Sequence, residues 1–308
     1  MSWFILAIIG HLSNGVAFAI DKILLKSAFS RSATYAGIVG LLSTVVALAV
    51  PFVSFWPSDF SHWLLAAVSG ATFILAMWAF FAALARAEAT RVVPIVGSLI
   101  PIFTLAGTFA FLAERLSDRT FLGFALLIAA TIMLSVGKAG RPTQQTIWLA
   151  VCSAILFAVS SVAGKAVYED SGFLGGFIAT RLFAALTALL LLVVIDRQAG
   201  SEALSIVHPA RRSGRSKHKQ PGKMAAMLAL VGQVMGAIGF VLVQWGVAQG
   251  SASLVNALQA VQYAFLVILA LALRKRAPQL LGEHLDRKAL AMKITALVVT
   301  AAGMYLLV

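Results

Sequence analysis

A handful of polar side chains lie within long stretches of Ala, Leu, Val and Phe, and these are the residues placed to do chemistry. His11, Asn14, Phe18 and Asp21 follow at intervals of three, four and three, which puts them on one helix face. His11 and a desolvated Asp21 are candidates for coupling a proton to transport, because each can change charge near working pH. Asp21 has a second reading. At 1.5 Å per residue it lies about 10 Å from the helix middle, near the membrane surface, where it can pair with a basic neighbour. Asn256, Gln259, Gln262 and Tyr263 cluster on one side of a later segment, and Gln233 and Gln244 are nearly eclipsed on another, with Trp245 beside the latter. Such amides either wet a cavity or bond helices together. Arg181 lies too deep in its segment to reach the headgroups easily. It can grip a carboxylate or phosphate through two parallel hydrogen bonds, or serve backbone carbonyls. With Trp78 and Ser98, the candidate substrate-binding set is His11, Asn14, Trp78, Ser98, Arg181, Gln244, Asn256, Gln259 and Tyr263. Pro94 and Pro101 each remove a helix hydrogen bond, which makes them candidate hinges or static kinks. Lys22 and Lys165, near helix ends, read as snorkelling lysines, with a cation in the cavity as the rival.

The elements that must position these residues follow from composition. Hydrophobic residues make up 61% and charged residues 11% of 308 positions, more apolar surface than a water-soluble domain can hide. A bilayer core about 30 Å thick takes roughly 20 residues per helix. Ten segments fit: Trp3 to Leu25, Ala33 to Phe55, Phe60 to Leu84, Arg91 to Ala113, Thr120 to Gly137, Thr146 to Tyr168, Phe173 to Ile195, Met224 to Ala248, Ser251 to Leu273 and Ala289 to Val308. Their apolar runs are continuous and lack the alternation of barrel strands. The expected fold is therefore an all-α integral membrane protein.

The second half repeats the first. Ala85 to Thr90, an apolar run, Glu114-Arg115-Leu116 and a further run are matched by Ala248 to Ser253, a run, Glu283-His284-Leu285 and a final run. Two copies with an odd number of spans each must lie in opposite orientations. The expected organisation is ten helices as two inverted five-helix repeats, residues 1–140 and 141–308, with the substrate site at the midplane. Of the 24 Lys and Arg residues, 19 belong to the odd-numbered loops and the span ends that adjoin them. The positive-inside rule puts those loops in the cytoplasm and both termini outside. The one long hydrophilic segment, 196–222, reads as a disordered basic linker that binds anionic lipid headgroups. That also accounts for the net charge of +13 without nucleic acid.

These residues resemble the drug/metabolite transporter superfamily, specifically its ten-span EamA type. The likeness rests on the turn Ala85 to Thr90 leading into a helix that contains Pro101, on Glu114-Arg115-Leu116 followed by Gly123, and on the recurrence with Gly282-Glu283-His284-Leu285. The second copy has Ala264 in the place of Pro101 and His284 in the place of the arginine. The resemblance implies an arginine early in the seventh helix, a place Arg181 fits. It also implies cytoplasmic termini, against the charge count.

The function expected is that of a secondary transporter, not an enzyme. It moves a small organic metabolite (amino acid, sugar or drug-like solute) across a bacterial cytoplasmic membrane by alternating access, coupled to protons or to the solute's own gradient. Export is implied by the resemblance alone. The cavity is expected between helices one, three, four, six, eight and nine, in a monomer or homodimer. The rivals are a flippase for lipid or lipid-linked sugar and a non-transporting scaffold or enzyme subunit. No phosphate-cradling loop, HExxH or GxSxG motif is present, and no cofactor or metal is expected.

Overall fold

The structure, a computed structural model, describes residues 2–24, 31–87, 89–135, 142–207, 223–272 and 287–308. In chain order its helices are α1 (Ser2–Leu24), α2 (Ser32–Leu42), α3 (Phe60–Leu84), α4 (Ala89–Phe111), α5 (Asp118–Ser135), α6 (Gln144–Leu190), α7 (Arg197–Val207), α8 (Lys223–Gln249), α9 (Ala252–Ala257), α10 (Gln259–Ala272) and α11 (Arg287–Leu307). No strand occurs among the described residues. That suits a lipid environment, where a helix satisfies its own backbone. Seven helical stretches are long and apolar enough to cross a membrane, and the chain is an integral membrane protein. One of them, Gln144–Ile195, is 52 residues long and turns at Gly172, whose φ of 70° is open to glycine at little cost.

The helices form two compact units, each drawing on both halves of the sequence. The first comprises Met1–Lys26, Glu88–Thr143 and Lys223–Val308; the second comprises Ser27–Ala87 and Gln144–Gly222. In the first unit α1 lies along α8, α5 along α11, and α4 against α9. Glycines set the α1–α8 approach. A Cβ on Gly10 would stand 2.9 Å from the Gly239 carbonyl, and one on Gly239 would stand 2.7 Å from the Gly10 carbonyl. Small residues that let backbones meet are the usual means of packing helices where lipid supplies no hydrophobic drive.

The second unit is built on α3 and the two arms of α6. Ser69 donates to the Ser160 carbonyl and Ser160 to the Ser69 carbonyl, each at 2.8 Å. Ser153 donates to the Ala76 carbonyl at 3.0 Å. A Cβ on Gly70 would meet the Thr180 carbonyl and Ala184 nitrogen of the second α6 arm, each at 2.5 Å. After α2 the chain tightens into a 3-10 stretch, Ser43–Phe52. There Ser43 and Thr44 bond back to the carbonyls of Val39 and Leu41, a habit that disturbs regular α-helix.

Segment 196–222 departs from the linker reading. Its first part is helix α7, capped by Asp196, whose carboxylate accepts from the Ala199 N–H at 3.0 Å. Ala199 and Ala203, one turn apart, are buried with the core of α2, α3 and α6, while Leu204 on the other side is exposed. Thr34 donates to Glu202 at 2.5 Å, and Arg31 bonds Asp196 and Gln198. Apolar burial and these contacts outweigh the polar composition that suggested a linker. The basic run from Arg211 to Lys219 lies outside the described residues.

Candidate functional site

In the first unit the sequence-predicted polar residues converge on a break in the ninth span. The helix runs from Ala252 to Ala257, loses its pattern at Leu258, and resumes at Gln259. The Leu258 N–H closes α9 on the Leu254 carbonyl at 3.0 Å, and the Val261 N–H turns back to Leu258 at 2.9 Å. Ser251 caps the start of α9, accepting from the Leu254 N–H. In a continuous helix the Val255 carbonyl would receive the N–H of residue 259. Here His11 reaches it, Nε2 to oxygen 2.9 Å. One turn of the first span thus serves a carbonyl exposed by the break, as lipid-embedded backbone requires.

Beside the break, Asn256 donates from Nδ2 to Thr104 Oγ1 at 3.0 Å, and Thr104 donates in turn to the Ile100 carbonyl. Thr104 is fully buried and escaped the sequence reading; only its place one turn after Pro101 marked its face. Tyr263 packs its hydroxyl against Gly97, where a side chain would collide with it. Pro101 has no N–H for the Gly97 carbonyl, so that carbonyl lacks its helix donor. Ser98 is buried and bonds back to Ile95 at 3.2 Å. Asn14 lies against Gly239 of α8, Gln262 beside Gly15. Gln259 and Gln244 are half-buried. The fold therefore brings His11 to α9 and Asn256 and Tyr263 to α4, joining the first, fourth and ninth spans. Helix α4 itself is unbroken through both prolines. The side chains of Asp21, Lys22 and Pro94, and residues 282–285, lie outside the described residues.

Arg181 and Trp78 belong to the second unit. Arg181 is 1% exposed, and its guanidinium stacks over Phe73 at 4.3 Å and lies 5.8 Å from the Phe177 ring. Tyr168 is near enough for its hydroxyl to interact with it. A cation held against ring faces in a dry interior is stabilised by their quadrupoles. Phe177 precedes Arg181 by one turn, a readable signal; Phe73 comes from another helix and was not readable. Trp78 packs with Phe73, Met77 and the buried core of α2, α3 and α6. Lys165 reaches Glu169, one turn on, at 3.1 Å.

At one end of this unit a polar clasp joins the turn before α3 to the bend in α6. Asp170 accepts from the Ser58 hydroxyl at 2.6 Å and the Ser58 N–H at 2.8 Å, and these bonds hold its carboxyl below the usual range. Asp59 caps α3 and is drawn down to about 2, first by the Ser61 hydroxyl and then by the His62 N–H. The His62 ring stands 3.0 Å from Asp59 and 3.7 Å from Asp170. In the first unit, Glu114 forms no ion pair among the described residues. Arg115 lies over Phe109, and Arg119 donates to the Tyr305 carbonyl.

Compared with known proteins, the chain finds no match among curated sequences. One solved crystal structure, titled only as that of a protein, superposes with a TM-score of 0.64, covering 98% of this chain and 96% of its own at 16% identity. Likeness at that identity speaks for a shared fold. The model of the EamA-like transporter family matches residues 1–136, the stretch that carries His11, Asn14 and the α4 face. Over residues 1–136 the chain is therefore similar to the EamA-like transporter family.

Proposed function

We propose that the protein is a secondary carrier that moves a small organic solute across the cytoplasmic membrane by alternating access, outward in the direction the family resemblance favours. The observation that carries this reading is the broken ninth span, with Val255 served by His11 and Asn256 by Thr104. Discontinuous helices with freed carbonyls are how carriers of inverted-repeat design recognise solutes near the midplane. A scaffold has no need of a break in the membrane interior, where each unserved carbonyl costs several kcal/mol, about that much per group.

Helix pairing supports two inverted repeats, 1–140 and 141–308. The first span lies on the eighth, as the sixth, the first arm of α6, lies on the third. The fourth pairs with the ninth, and the fifth with the tenth, α11. An exchange of spans one to five with six to ten maps the first two pairs onto each other and each of the last two onto itself. Counting the two arms of α6 separately, and adding α4 and α5 to the long apolar helices, gives ten spans. His11 and Asp21 are the proton-coupling candidates, and His11, Asn14, Ser98, Arg181, Gln244, Asn256, Gln259 and Tyr263 the solute contacts. Trp78, packed in the core of the second unit, is the weakest of the set.

The experiment is solute flux into proteoliposomes, with a panel of amino acids, sugars and cationic drugs, with and without an imposed pH gradient. Saturable flux for one class is expected, and its loss in His11→Ala, Asn14→Ala and Gln259→Ala. Unchanged flux in all three would remove the site assignment.

A further inference from the structure

His11 has a hydrogen-bonding atom that the fold leaves unused. The ring is 5% exposed, and its Nε2 faces the Val255 carbonyl at 2.9 Å. A carbonyl only accepts, so Nε2 must carry the hydrogen, and in the neutral ring Nδ1 is then a bare acceptor. Among the described residues Nδ1 has no partner that meets hydrogen-bond distance and angle, and the polar group nearest to the ring besides Val255 is the Gln262 side chain, within interacting distance. The break in the ninth span thus does more than expose a carbonyl. By claiming Nε2 it fixes the tautomer and turns the other nitrogen into a lone pair buried in the membrane interior. Among the neighbours that α8 and α10 bring to Gly10 and Gly15, on either side of His11 in α1, are Gly239, Val243, Gln262 and Phe265, all uncharged. A buried acceptor is completed by a donor and repels an anion.

We propose that His11 Nδ1 is a docking atom for an N–H group of the solute, a primary ammonium or an unsubstituted amide. This rests on the carrier reading and narrows it to donor-bearing solutes. A carboxylate or phosphate has no hydrogen to offer this nitrogen. A fully methylated amine matches the charge of a primary ammonium but has no N–H, so the two together separate a donor requirement from simple charge attraction.

The test uses the full chain in lipid nanodiscs with 15N-labelled histidine. The His11 signals are assigned by their loss in His11→Gln, or, should that variant not fold, by replacing the other four of the five histidines. The free protein should show the neutral Nε2–H form. n-Butylammonium should shift the Nδ1 resonance saturably, and n-butyltrimethylammonium and butyrate should bind at least 10-fold more weakly by the same signal. His11→Gln keeps a donor towards Val255, and its one acceptor, the amide oxygen, does not stand at the Nδ1 position, so it should stay folded and lose about 10-fold or more in butylammonium affinity. An Nδ1–H form, no response to butylammonium, or equal response to both amines would overturn the proposal. Flux that persists beside such a result leaves the carrier standing with a different contact. A selective Nδ1 shift without flux of any solute keeps the docking atom and removes the carrier.

Discussion

The two units face one problem, how to satisfy polar groups in an apolar medium, and solve it in different ways. In the second unit the helices stay regular at the contact, and two serines exchange hydrogen bonds with each other's carbonyls. At that contact both hydroxyls are used, and glycine brings the backbones close enough to lock. In the first unit a helix breaks, and a histidine from another span serves the exposed carbonyl with one nitrogen while the other stays unused. The comparison teaches where to look for function: where hydrogen-bonding capacity remains after the fold has been satisfied.

The sharpest way to break this comparison is to crowd the locked contact. Gly70→Ala forces a methyl onto two backbone atoms and should lower stability by about 1–3 kcal/mol in detergent unfolding. Gly236→Ala, whose methyl would stand an ordinary 3.5 Å from Ala17, should change it by less than about 0.5 kcal/mol. Similar losses in both would mean that backbone closeness is not what holds the second unit.

Next in size is His11→Ala. It orphans the Val255 carbonyl and should cost about 1–3 kcal/mol; an unchanged unfolding midpoint would show the break to be stable without its partner. Smaller still are Ser160→Ala and Asn256→Ala, each expected near 0.6 kcal/mol, the average for such bonds between membrane helices. They should part on function, with flux kept in Ser160→Ala and reduced in Asn256→Ala. Equal flux would erase the distinction between the units.

The smallest effect concerns the clasp. Asp59 and Asp170 have folded-state values below their unfolded ones. Their contribution is therefore present above the ordinary carboxyl value, about 4, and is lost as pH falls towards about 2 for Asp59. The Ser58 amide should keep its bonded NMR shift at neutral pH and lose it as Asp170 takes up a proton below the ordinary carboxyl value. In Asp170→Asn this acid step should be gone; a step of the same size there would assign it to another group.

The all-helical membrane fold was readable because apolar runs of about 20 residues have few other uses. His11, Asn256 and Tyr263 were readable as polar residues at helical spacing in costly surroundings. The location of the break was not. Sequence points to Pro94 and Pro101, yet α4 runs through both, since neighbouring helices can make good the bonds that proline removes. The ninth span has no proline and breaks at Leu258, because a side chain 244 positions away supports it. The same holds for Thr104, whose role needs Asn256, and for Phe73 over Arg181: a partner distant in sequence leaves no local pattern. Helix α7 hid for another reason. Two alanines one turn apart bury little surface and look polar beside their charged neighbours.

The most direct test of the central claim is counterflow in proteoliposomes, comparing the wild type with His11→Gln and Asn256→Ala after both variants are shown to be folded. The account predicts saturable exchange of a donor-bearing solute by the wild type, reduced at least about 10-fold in both variants. Exchange that is absent for every solute in the wild type, or equal in all three proteins, would contradict it.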